Sequence, residues 1–303
     1  MKPTLCDTFR NLALRSWDLL SKGRSVGIQL GEESLTDLNL LELKIRHQSE
    51  IYSQTFTKSE ESQNGSDWEW WFTGTSGKWI GFRVQAKIIE FKSDKFKHLH
   101  YKSKSDYQSN ILIRSALDNK YGVKLIPLYC LYTNYASVTD WKYHKNYHFQ
   151  ESYGCSLISA FAVVYHRIMD IKKTRIKYLL PYINPWHELV CSHGYEDKDL
   201  PQRAWTYWKN SIAFIEEDVL NEDEKDILNE FDFDNEFYYG LKNENKISEL
   251  QKLSALRKLY QNIELTQHPP DYVSQLMEGE VIEPPDNDIR TVTIFREGYD
   301  QLW

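Results

Sequence analysis

The chain has 303 residues, 41% hydrophobic and 27% charged, enough for one large domain or a core with a substantial appendage. No run approaches the roughly 18 apolar residues that a membrane helix needs. The start, Met1-Lys2-Pro3-Thr4, leads into a polar amphipathic segment, so neither a membrane association nor a secretory signal is expected. A formal net charge of −7 does not advertise a nucleic-acid binder, but local potential matters more than the total. Eight basic residues stand against Glu90 and Asp94 between Lys78 and Lys104, whereas eleven acidic residues stand against Lys225 alone between Glu216 and Glu236. The four cysteines, Cys6, Cys130, Cys155 and Cys191, are scattered without a CxxC pair, and the expectation is reduced thiols in a cytoplasmic protein.

In chain order, residues 5–21 read as an amphipathic helix that Gly27 and Gly31 interrupt. Glu32-Glu33-Ser34-Leu35-Thr36-Asp37 opens a second helix, whose acidic first turn suits the helix dipole and whose Leu35, Leu38, Leu40, Leu41 and Leu43 predict a core-facing stripe. From Ser49 the period shifts towards two. Ile51–Thr57, Asp67–Phe72 and Trp79–Ile89 read as three strands, the last two joined by a Gly-rich turn as a hairpin. Asp106–Asn119 predicts a helix and Val123–Tyr132 a largely buried strand, in which Pro127 suggests an edge or a bulge. Ser156–Tyr165 is a further strand candidate, with a helix start at Tyr165–Lys173. Residues 202–262 look mainly helical and acidic, and Thr291–Phe295 is a late strand candidate. The ten tryptophans and twenty tyrosines are dispersed and read as packing.

The chemistry-bearing residues gather on the predicted hairpin. Asp67 opens one strand, and Val84-Gln85-Ala86-Lys87 ends the apolar run of the next. Side chains i and i+2 of a strand share a face, so Gln85 and Lys87 point the same way and Ala86 points into the core. This conjunction resembles the active-site signature of the PD-(D/E)XK nucleases, in the variant with Gln at the second acidic position found in Mrr-type restriction endonucleases. The resemblance covers about residues 30–135. It implies an α/β fold with a restriction-endonuclease-like core (helix, three strands, helix, strand) over residues 1–170, and a mainly helical, acidic C-terminal region over 171–303 packed on it.

The activity implied is hydrolysis of DNA phosphodiesters with Mg²⁺ or Mn²⁺, in bacterial defence against foreign DNA. Hard cations take oxygen ligands, so the resemblance makes Asp67, the Gln85 carbonyl and an acid of the preceding helix the metal ligands. Glu33 is the candidate for that acid, and Glu32 is its near-equal rival. Lys87 would orient the attacking water or neutralise the phosphate. Gln108, Lys92 and Lys95 are placed to meet nucleic acid, and Glu69, on the strand face of Asp67, reads either as a further ligand or as a surface charge. A homodimer and an activating partner of a defence system are the assemblies the resemblance suggests. The alternatives are a non-catalytic nucleic-acid- or protein-binding module on the same fold, or an RNA-directed nuclease.

Other constellations are weaker. His144 and His148 are four apart, and His187, Cys191 and His193 have zinc-compatible types without a clear fourth ligand. The segment 216–236 reads as a solvated helix pair, with a DNA-mimicking, self-inhibitory element as the alternative. No Walker A loop, dinucleotide fingerprint or GxSxG elbow is present.

Overall fold

The computed structural model describes residues 3–56, 68–103, 106–118, 121–135, 147–169, 174–212, 253, 260, 262–286 and 289–298, except the side chains of Tyr147, His148 and Met169. Asp67, Lys104, His144 and the acidic stretch 216–236 therefore lie outside the described residues.

Helix α1 spans Leu5–Val26: Thr4 caps its start, where its side-chain oxygen accepts from the Asp7 backbone N–H at 3.1 Å. Gly27 ends it at φ 75°, a left-handed conformation that glycine adopts without a Cβ penalty. Helix α2 follows at Glu32–Arg46, then strands β1 (Ile51–Thr55), β2 (Trp68–Thr73) and β3 (Trp79–Ile88), helix α3 (Gln108–Leu117) and strand β4 (Ile126–Tyr132). Helix, three strands, helix and strand thus occur in the expected chain order. Beyond it come β5 (Cys155–Ser159), α4 (Ala160–Met169), the two-residue β6 (Asn184–Pro185), α5 (Leu200–Tyr207), α6 (Asp271–Met277) and β7 (Thr291–Arg296).

These strands form one mixed seven-stranded sheet in the order β1-β7-β2-β3-β4-β5-β6. β7 runs parallel to β2 and antiparallel to β1, so the last strand separates the first two. β2 and β3 form the expected antiparallel hairpin, and β3 runs parallel to β4. The sheet takes strands from both sides of residue 170.

Alternation along β2 and β3 sorts the side chains into two layers. Trp68, Trp70, Phe72, Phe82, Val84 and Ala86 join α1 in the larger core, where Phe9 meets Trp70 edge-on at 6.0 Å. Trp71, Leu125, Tyr272, Val273, Val292 and Ile294 form the core beneath α6. Among the described residues the tryptophans pack, as expected: Trp68, Trp70, Trp71, Trp186 and Trp208 are among the largest fully buried side chains. Gly81 is required in β3, because a Cβ there would run into the Trp71 ring and Leu125.

Four expectations need correction. Pro127 is at neither an edge nor a bulge: β4 lies between β3 and β5, but the β5 ladder begins only at Leu128, so no partner on that side needs the N–H that proline lacks. On α2, Leu35 and Leu43 are buried but Leu38 and Leu41 are exposed, because Thr36 and Asn39 fill the inward stripe. The Thr36 hydroxyl pairs with the Tyr132 hydroxyl at 2.8 Å, and Asn39 donates to Ser16 Oγ at 3.3 Å.

Glu69 is neither a ligand nor a surface charge. It is fully buried and accepts from Arg83 Nη2 at 2.6 Å and Nε at 3.1 Å, from the Tyr272 hydroxyl at 2.7 Å and from Trp71 Nε1 at 3.3 Å. Arg83 also pairs with Asp286 at 2.7 Å and donates to the Ser115 carbonyl at 3.1 Å. Burial, and next the Glu69 charge, push the Tyr272 hydroxyl well above the usual tyrosine range, so it stays a donor.

The cysteines are not all reduced thiols. Cys6, in the first turn of α1, is joined to Cys191 across 185 residues, with Cα atoms 4.8 Å apart. Topology brings α1 against the turn at Trp186–Leu189, which no local spacing announces. Cys130 and Cys155 are buried and free, and burial pushes the Cys155 thiol up to about 12. Alkylation counted by mass should therefore add nothing quickly to the native protein, two groups after denaturation and four after denaturation with reduction. Four additions without reductant would contradict the pairing.

Candidate functional site

Trp68 of β2 pairs with Val84 of β3; in sequence, Asp67 directly precedes Trp68 and Gln85 directly follows Val84. From Gln85 to Ile88, β3 runs beyond the described part of β2, and the first turn of α2 approaches this end of the sheet. A shallow cleft opens there, lined by Glu32, Glu33, Thr36 and Asp37 of α2, Trp68, Ala86, Arg290 and Thr291. It therefore collects the start of α2, the start of β2, the end of β3 and the start of β7.

Gln85 and Lys87 share a strand face with Arg83, and both are almost fully buried. Gln85 Oε1 accepts from Gln108 Nε2, at the start of α3, at 2.9 Å, and Gln85 Nε2 donates to the Ala86 carbonyl at 3.2 Å. Gln108 Oε1 is buried, with no hydrogen-bond partner among the described residues. Lys87 Nζ lies 3.8 Å from Glu32 Oε1. A buried ammonium is costly to hold without a carboxylate nearby, and Glu32 supplies it.

The structure thus distinguishes the two acids of α2. Glu32 faces Lys87, whereas Glu33 lies 3.5 Å from Arg290 Nη1 with more than half its side chain exposed. Arg290 also holds Asp37, Nη2 to Oδ2 at 2.6 Å. Asp37 was legible as a residue one helical turn from Glu33. Arg290 had no local signal beyond its place before a predicted strand.

The remaining predicted positions are spread more widely. Lys92 is exposed and Lys95 half-buried in the turn that follows β3, so both lie beyond the strand end that carries Lys87. That turn is closed by the Glu90 N–H donating to the Lys95 carbonyl at 2.8 Å and tied to α1 by Arg24, which reaches Asp94 at 2.9 Å. Lys97 is paired with Glu90. Cys191 is in the disulfide, which removes the thiolate a zinc site with His187 and His193 needs. Among the described residues, no group of three or more His, Cys, Asp or Glu side chains converges on one point.

Fold and cleft together define an α/β protein with a mixed seven-stranded sheet, at one end of which a cleft carries the acids of α2 and Arg290, with the buried Lys87 reached by Glu32 from its rim. Residues 5–301 match a family described only as a family of unknown function (DUF6615), and the chain belongs to it. No curated protein and no solved structure matches the chain.

Proposed function

We propose that the protein is a metal-dependent endonuclease that hydrolyses DNA phosphodiester bonds, built on a restriction-endonuclease-like core. The observation that carries the reading is the approach of Glu32 to Lys87 at the end of β3, two residues beyond a Gln85 held by Gln108. Three elements far apart in sequence meet at the residues the motif singles out. The position of Asp67, directly before the Trp68 that pairs with Val84, supports the same reading.

The donor chemistry fits Mg²⁺ or Mn²⁺. The Glu32 carboxylate, the Gln85 carbonyl and Gln108 Oε1, which has no partner among the described residues, are hard oxygen donors, with Asp67 the further carboxylate in the proposal. Such a cation, when bound, polarises a phosphoryl oxygen and lowers the pKa of its water. Lys87 would offset charge on the scissile phosphate, held in place by Glu32. Gln108 would fix the Gln85 amide so that its oxygen faces one way. Lys92 and Lys95 would meet the backbone of the nucleic acid beyond the strand end.

A role in bacterial defence, a cytoplasmic setting, a homodimeric state and an activating partner belong to the same proposal. Among the described residues, no helix is long and apolar enough to cross a membrane. One observation favours a second reading, a non-catalytic nucleic-acid-binding module: Gln85 replaces a carboxylate, and its oxygen already accepts from Gln108.

Incubation of supercoiled plasmid with the purified protein in Mg²⁺, Mn²⁺ or EDTA separates the two. Nicking or linearisation with either cation and none in EDTA is the expected result. DNA binding that EDTA leaves intact, with no cleavage at any cation concentration, would support the binding module instead.

A further inference from the structure

The cleft contains a cation that the motif does not account for. Arg290 directly precedes β7, and β7 is wedged between β1 and β2 with Thr291 opposite both Thr55 and Trp68. Its backbone is fixed as well, since the Arg290 carbonyl accepts from the Phe56 N–H at 2.8 Å. The C-terminal strand thus delivers one guanidinium to the cleft wall shared with Glu32, Trp68 and Ala86.

We propose that Arg290 is a phosphate-binding residue of this cleft, and that Glu33 and Asp37 hold its guanidinium in the absence of substrate. The inference rests on the nuclease reading and names the group that grips the DNA backbone beside the reacting end of β3.

Three observations support it. Arg290 is about one-quarter exposed, while Glu33 and Asp37 are more than half exposed. Exposed ion pairs contribute little, on the order of 1 kcal/mol or less, so a phosphate can displace them at small cost. The planar guanidinium, with its fork of donors, matches phosphate oxygens as it matches carboxylates. The third is the position: Arg290 lines the same cavity as Glu32, the partner of Lys87, so a backbone bound at one reaches the other.

A purely structural Arg290, one that only pins α2 to the sheet, makes a different prediction. Breaking the tie from either side would then have the same consequence. A phosphate-binding Arg290 predicts opposite signs, because losing the arginine removes an attraction while neutralising its acids releases it.

The test is fluorescence anisotropy of a labelled DNA duplex in EDTA at several salt concentrations, for wild type, Arg290→Gln, Arg290→Lys and the double variant Glu33→Gln/Asp37→Asn, each checked for folding by circular dichroism. Plasmid cleavage by the wild type in Mg²⁺ runs alongside. Arg290→Gln should weaken binding about tenfold and lower the slope of log affinity against log salt by about one. Arg290→Lys should restore the slope but only part of the affinity, and the double variant should bind more tightly than wild type. An unchanged slope in Arg290→Gln, or weaker binding by the double variant, overturns the role of Arg290 while wild-type cleavage leaves the nuclease reading standing. A wild type that neither binds nor cleaves overturns both.

Discussion

Glu69→Gln should destabilise the protein by about 3–5 kcal/mol, the cost of removing one partner from a buried ion pair. Glu69 accepts four hydrogen bonds from three side chains, Arg83, Trp71 and Tyr272. The glutamine keeps the shape but removes the charge opposite a guanidinium that is itself 2% exposed. Asp286 remains beside Arg83, which sets the effect at less than the loss of all compensation. The penalty is one of desolvation, so replacing both partners, as in Glu69→Leu/Arg83→Met, should cost less than Glu69→Gln alone. Urea unfolding measures both. A loss below about 1 kcal/mol for Glu69→Gln would show that the network is not the tie it resembles, since that is the range of a surface pair.

Glu32→Gln should reduce metal-dependent cleavage at least about 10²-fold, the scale on which one preorganised electrostatic group acts. Glu33→Gln should lose less than about tenfold. The difference follows from the approach of Glu32 to Lys87, while Glu33 reaches Arg290. Neither side chain is buried in a core, so unfolding midpoints near wild type should accompany both changes. Rates of plasmid nicking at saturating Mg²⁺ decide it. Equal losses in the two variants would mean that the first turn of α2 contributes general negative charge, and the reverse order would return the ligand role to Glu33.

The sequence carries the local part of this architecture because strand alternation and helical spacing are local properties. The hairpin of β2 and β3, the shared face of Gln85 and Lys87 and even the strand at 291–295 are visible as periodicity. Placement is another matter. Nothing in Thr291–Arg296 states that it lies between β1 and β2, since Thr55 and Thr291 meet across 236 residues of chain. Arg290 enters the cleft for the same reason and escapes a motif search. Burial of Glu69 is not legible because alternation assigns a face, not what covers it: Tyr272 bonds it, and Asp286 its partner Arg83, from more than 200 residues away. Two adjacent glutamates of a helix N-terminus differ only in rotation about its axis, so packing alone separates Glu32 from Glu33. The Cys6–Cys191 pair depends on how α1 crosses the sheet, a tertiary fact with no spacing rule.

Catalysis is proposed to sit where β2 begins and β3 ends. The most direct measurement is the rate of plasmid cleavage in Mg²⁺ by wild type, Asp67→Ala and Lys87→Ala, purified in parallel and shown to be folded. Metal-dependent cleavage by the wild type, lost in both variants, is the expected result. Cleavage that survives in both would place the active site elsewhere in the molecule and contradict it.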